Sequence, residues 1–318
     1  MRLICNHPAA PRKNPWKWRW LPRAAQLFSI VGIACGNGGV LVLGDEVPRR
    51  YRFDAPQRLE ELSIESRADN PSLTADLLEI YFTTAHGPDR GEVWSATRSD
   101  KTATFDTPVL VTEINSPSLE TSPIVSEDGL TFWVGSDRSG GLGALDIWVS
   151  TRASRGTAWT TPKPLAALNS SGNDIPRPPG QHRLIMPLSS DRDSPGLYAI
   201  YFASRPQPSA AFADPRLISE LSVADHNIVD GFLTEDGLDL FWDLGPEIGF
   251  ADLYVSSRRS TDDRFERRVA LTELNTSSNE RDPWLSQDGK LLFFSSDRAG
   301  RYDIYVAGVH RESSTLAP

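Results

Sequence analysis

The 318-residue chain has almost no cysteine: Cys5 and Cys35 are the only two, and both precede everything that reads as folded. A disulfide framework is thereby excluded for the body, which must be held by packing alone. Long hydrophobic runs are missing too, since the apolar stretch from Ala24 to Ala34 is too short to span a bilayer. The usual catalytic signatures do not occur. There is no Gly-x-Ser-x-Gly elbow, His-Glu-x-x-His zinc helix, phosphate loop or dinucleotide fingerprint. The five histidines (His7, His86, His182, His226, His310) are scattered without metal-ligand spacing, so neither a metal nor another cofactor is expected. Positive charge is scarce beyond the N-terminus. The first 35 residues hold six basic and no acidic side chains, which leaves 27 basic against 42 acidic residues, a charge of -15, in the remainder. So acidic a body repels phosphate backbones and excludes nucleic acid as a partner.

The basic residues, with Trp16, Trp18 and Trp20, lie ahead of the Ala24–Ala34 run and end at Cys35, the order of an export signal. Gly32-Ile33-Ala34-Cys35 resembles the lipobox of bacterial lipoproteins, with Gly32 where that family usually has an aliphatic residue. The resemblance implies lipidation at Cys35 and an exported, periplasmic or outer-membrane-associated protein that meets the membrane only through that anchor. An ordinary cleaved signal and an uncleaved anchor are the alternatives. Residues 1–35 are thus read as leader, 36–50 as a flexible linker, 51–311 as the folded body and 312–318 as a tail.

The body is self-similar, and repeats of this length signal stacked supersecondary units. One copy runs Asp282-Pro283-Trp284-Leu285-Ser286-Gln287-Asp288-Gly289, then Leu291 to Arg298, then Asp303-Ile304-Tyr305-Val306-Ala307. Others are centred on Asp128-Gly129 and Asp236-Gly237, a looser one on Asp76, and in the weakest the turn is replaced by Pro178-Pro179-Gly180. The steps from Asp76 to Asp128, Asp236 and Asp288 are 52, 108 and 52 residues, a period near 53. Each unit maps onto three strands. Asp-Gly supplies the first tight turn because glycine tolerates positive φ. The apolar run Leu291–Ser296 fits a strand covered on both faces. A fourth, outer strand is predicted where an aromatic residue precedes Leu, at Phe105/Leu110, Trp159/Leu165, Phe212/Leu217 and Phe265/Leu271. A fifth copy, Phe53 to Leu59, lies ahead of the first unit and none follows the last. The count closes if that segment becomes the outer strand of the final unit, predicting an all-β, five-bladed β-propeller sealed by its N-terminal strand.

The pattern Pro-x-Leu-Ser-x-Asp-Gly, Phe-x-Ser-Asp-Arg, Asp-Ile-Tyr resembles the WD40-like repeats of TolB-type periplasmic propellers over about 260 residues. Ser136 to Trp148 looks especially like repeats found beside OmpA-type peptidoglycan-binding domains. TolB itself carries six blades, one more than is read here. The resemblance implies a non-catalytic interaction or scaffold propeller of the cell envelope, with an envelope or peptidoglycan-associated protein as partner.

Among the repeated residues, Asp137, Asp191, Asp243 and Asp297 read as turn caps that accept backbone N–H groups, and Asp146, Asp252 and Asp303 likewise. Trp133, Trp148, Trp242, Tyr254, Phe293 and Tyr305 read as core. Functional residues are sought where blades differ near the start of their inner strands. Asp69, Glu120, Asp174, Asp230, Glu280 and Asp282 meet that criterion, either as a solvated rim or as a binding mouth for a basic segment or a cation. No catalytic residue is assigned. The alternative is a glycoside hydrolase or lactonase-like hydrolase with carboxylates such as Asp69, Glu120 and Asp174 in the funnel.

Overall fold

The computed structural model describes residues 51–64, 67–85, 91–247 and 250–312. The leader and linker expectations, Cys35 included, and all of the tail but Glu312 fall outside the described residues. The body is a five-bladed β-propeller built of antiparallel sheets. Blade I is Ala68–Leu73, Glu79–Ala85, Gly91–Thr97 and Val109–Leu110. Blade II is Glu120–Val125, Thr131–Ser136, Asp146–Thr151 and Lys163–Pro164; blade III is Asp174–Pro176, Ile185–Ser190, Ala199–Ser204 and Arg216–Leu217. Blade IV is Asn227–Leu233, Asp239–Glu247, Phe250–Ser257 and Arg268–Ala270. Blade V has Glu280–Leu285, Leu291–Ser296 and Asp303–Arg311, and takes its outer edge from the start of the body. Gln57 and Arg58 pair with Val306 and Tyr305, and Tyr51–Phe53 pair with Arg311–Val309.

The same periodicity explains why the strands carry apolar residues on both faces. Five buried clusters run round the ring, each made chiefly from two successive blades. Along Leu291–Ser296, Leu292 and Phe294 pack toward Phe241 and Leu253 of blade IV, while Phe293 packs toward Ile80 and Phe82 of blade I. Trp133, Trp148, Trp242 and Tyr305 are buried as the repeat implied. Tyr254 is half-buried and stacks on Trp242 with ring centroids 5.4 Å apart. Phe293 is 2% exposed, so Phe293→Ala should cost about 3–5 kcal/mol in denaturant unfolding. A loss below about 1 kcal/mol would show that the seam between blades V and I collapses without penalty.

The predicted outer-strand aromatics turn out to hold arginines. Arg98, Arg152, Arg205 and Arg258 lie 4.4, 4.3, 4.2 and 4.7 Å over the rings of Phe105, Trp159, Phe212 and Phe265. Each also donates through Nε to a carbonyl at the turn joining the first two strands of its blade, as Arg152 does to Gly129 at 2.6 Å. A guanidinium stacked on an aromatic face and pinned to a turn carbonyl ties each outer edge back to its own blade.

Candidate functional site

Three of the six carboxylates singled out from the sequence belong to a repeated structural unit. Glu120, Asp174 and Glu280 open the inner strands of blades II, III and V and are fully buried. Each accepts from the serine of its Ser-Asp-Arg motif: Ser136 at 3.0, Ser190 at 2.6 and Ser296 at 2.8 Å. The arginine two residues on closes the unit, with Arg138, Arg192 and Arg298 at 2.9, 2.6 and 3.1 Å from the same carboxylates. The aspartate between them caps the turn, as expected: Asp137, Asp191 and Asp297 accept the N–H groups of Leu119, Asn173 and Asn279. Burial of charge is offset here by pairing and hydrogen bonds.

The other three meet at the centre. In blades I, II, IV and V the inner strand carries a β-bulge, and the residue in it is left-handed: Asn70 at φ 56°, Ser122 at 50°, Asp230 at 60° and Asp282 at 57°. Asn and Asp tolerate that region better than other side chains. The bulge redirects the backbone N–H to the preceding blade. Asn70 donates to Ser295 at 3.1 Å, Asp230 to Ser189 at 3.0 Å and Asp282 to Asp243 at 3.3 Å. Asp243 therefore stands where blades III and V have Ser189 and Ser295, and it corrects the turn-cap expectation for that residue. Register confirms the offset, because Asp243 faces Val229 just as Ser295 faces Arg281.

Two arginines that sequence reasoning passed over complete the cluster. Arg177 of blade III forms an ion pair with Asp230 and lies 3.9 Å from Asp282. Arg281 lies 2.5 Å from Asp69 and 3.3 Å from Asp282, and its guanidinium covers the Tyr302 ring at 4.2 Å. Arg67 adds a second arginine contact to Asp69 at 3.2 Å. The signal for Arg177 was available: it occupies the place held by Pro71, Pro123 and Pro283 in other blades, but in the weakest repeat. None of the six carboxylates lies on a solvated rim, since all are between 0 and 6% exposed. Among the described residues, no group of three or more His, Cys, Asp or Glu is placed to hold a metal ion.

The cluster separates its carboxylates electrostatically. Burial, and then the charge of Asp282, pushes Asp243 up to about 7 despite Arg177 nearby. For Asp69, burial acts upward but Arg67 and Arg281 outweigh it and hold the carboxyl below its ordinary value. Burial lowers Arg177 to about 10. With Asp243 protonated, Asp69, Asp230 and Asp282 balance Arg67, Arg177 and Arg281. The native state thus keeps a proton on Asp243 that the unfolded chain releases near pH ~4. The stability it contributes is complete below that pH and is lost as pH rises through about 7. Asp243→Asn should therefore gain stability relative to wild type in thermal melts as pH goes from about 5 to about 8. A difference that stays constant over that range would place the titration elsewhere.

On the far side of this cluster, where inner strands end in their Ser/Thr-x-Asp-Gly turns, the ring encloses a cavity of about 490 Å³. Its walls include Leu73, Val125, Pro178, Leu233, Trp284 and Leu285. Four carboxylates line it, Glu127, Glu235, Asp236 and Asp288, against the two guanidiniums of Arg183 and Arg311. Blade III breaks the pattern: Gln181, His182 and Arg183 are all left-handed, at φ 51°, 57° and 64°. The His182 N–H donates to Glu235 at 2.9 Å, which locks this turn to blade IV.

No protein-family model and no curated protein matches the chain. Among solved structures it superposes on the catalytic domain of a GH62 α-L-arabinofuranosidase from Coprinopsis cinerea. The TM-score is 0.54 at 11% identity, over 85% of this chain and 100% of that one. A thermostable family-43 glycoside hydrolase gives 0.54 at 12% identity, covering 81% and 95%. TolB from Acinetobacter baumannii gives 0.45 at 15% identity over 78% of this chain, which spans 56% of that protein's length. The two glycoside-hydrolase likenesses show the propeller fold alone.

Proposed function

We propose that this chain is a non-catalytic interaction propeller of the bacterial envelope, exported by its leader and anchored or released at Cys35. One observation carries the reading. Each of the six inner-strand carboxylates singled out from the sequence is buried and already bonded to arginine, serine or backbone N–H groups. A glycosidase needs two carboxyl groups that flank a sugar, with water admitted to one side. Here a sugar would first have to displace Arg177 or Arg281 and leave carboxylates unpaired in a poorly solvated channel. The leader and the TolB-type repeats support the location and an envelope or peptidoglycan-associated protein as partner.

The glycoside-hydrolase reading keeps one observation in its favour. Asp243 and Asp69 are pushed apart in proton affinity, the arrangement that separates an acid from a base. The two readings part on a panel of aryl glycosides, arabino- and xylo-oligosaccharides and aryl lactones. The wild type is expected to give no turnover above the blank. Hydrolysis abolished by Asp69→Asn or Asp243→Asn would overturn the binding reading.

A further inference from the structure

The repeats vary where they face the cavity on the turn side. The x position of Ser/Thr-x-Asp-Gly, whose Gly is Leu77 in blade I, is Ala75, Glu127, Glu235 and Gln287 in blades I, II, IV and V, and all four line the cavity. The flanking serine or threonine and the aspartate barely change, because they build the turn. Ser126 and Ser286 donate to Asp128 and Asp288 at 2.6 and 2.7 Å, and Thr234 donates to Asp236 at 2.7 Å. Glu235 is used to hold the blade III turn, but the turns themselves require nothing of the side chains of Ala75, Glu127 and Gln287, so their differences are free to serve a ligand.

The charges at the mouth are unequally committed. Arg183 pairs with Asp128 at 3.0 Å and Arg311 with Asp236 at 3.3 Å. His182 occupies Glu235, and Asp288 accepts from Ser286 and the Lys290 N–H. Glu127 is left half-buried, and among the described residues its carboxylate has no hydrogen-bond or ion-pair partner. Burial, and then Glu235, pushes it above its ordinary value. A cation at the mouth would relieve both effects.

We propose that this cavity is a binding site for a peptide segment carrying lysine or arginine beside an apolar or aromatic residue. The cation sits at Glu127, and its neighbour fills the apolar cup of Leu73, Val125, Leu233 and Leu285. The volume suits a few side chains and lies within the range of ordinary ligand pockets. The proposal rests on the binding reading above and adds to it a face and a partner chemistry.

The test is fluorescence anisotropy of a labelled Gly-Pro-Lys-Trp-Lys-Gly peptide titrated with the full chain. Saturable binding is expected, with none for Gly-Pro-Glu-Trp-Glu-Gly. Glu127→Gln should weaken it about five-fold or more, while Glu113→Gln, on an exposed loop elsewhere, leaves it unchanged. Salt raised from about 50 to about 500 mM should weaken wild type more than Glu127→Gln. Filling the cup with Ala75→Phe should abolish binding. No saturation up to about 1 mM, or binding indifferent to Glu127→Gln, would overturn the proposal. Failure here without glycan turnover sinks only this site, whereas turnover on the glycan panel sinks the reading beneath it.

Discussion

A chain beginning after residue 62 is expected to aggregate rather than persist as a shorter propeller. The missing segment supplies both strands that cover the Asp303–Arg311 edge, so that edge would present unpaired backbone groups over nine residues. The loss is not confined to hydrogen bonds. Leu62 is fully buried in the cluster joining blades V and I, and Tyr51 belongs to the one joining IV and V. The Tyr51 hydroxyl donates to Asp239 at 2.8 Å, and burial pushes its phenol up. Two of the five seams would open together. Size-exclusion chromatography and a thermal melt decide the matter: a monomer with an unchanged melting temperature would sink the closed-ring account.

Arg177→Leu is expected to cost about 3–5 kcal/mol near neutral pH. Leucine fills much of the volume but leaves Asp230 and Asp282 buried without this partner, beside Asp243. The charge should matter more than the shape, and two comparisons separate them. Arg177→Lys should recover only part of the loss, since a point charge replaces a fork that reaches Asp230 and Asp282 together. Arg177→Leu with Asp230→Asn should recover more. The penalty should also shrink as pH falls and the stranded carboxylates take up protons. Urea unfolding at two pH values measures all of this, and a cost below about 1 kcal/mol would show that the cluster does not hold the channel.

Much of the fold was legible because propeller blades solve one packing problem repeatedly. Asp128-Gly129, Asp236-Gly237 and Asp288-Gly289 mark the turns. The doubly apolar Leu291–Ser296 run announced neighbours on both sides, and Phe53–Leu59 was recognisable as the missing outer strand. The site was less legible for a physical reason. Position near the start of an inner strand does not say which way a side chain points, and a single bulge residue separates two populations of carboxylate. Glu120 and Glu280 precede the bulge and, like Asp174 in blade III where the strand pairs without a register shift, turn to the Ser-Asp-Arg unit, whereas Asp230 and Asp282 occupy it and turn to the axis. Asp243 looked like a turn aspartate because spacing in blade IV is irregular. Only its register against Val229 showed otherwise.

The sequence by itself determined the number of blades, the strand order within each, the closing strand and the buried aromatics. All follow from local periodicity repeated every 53 residues or so. Tertiary structure alone decided which charges meet. Arg177 and Asp282 are 105 residues apart in the chain and Arg281 and Asp69 are 212. Closing the ring brings blades I, III, IV and V to one axis, and no local pattern encodes a pairing across it.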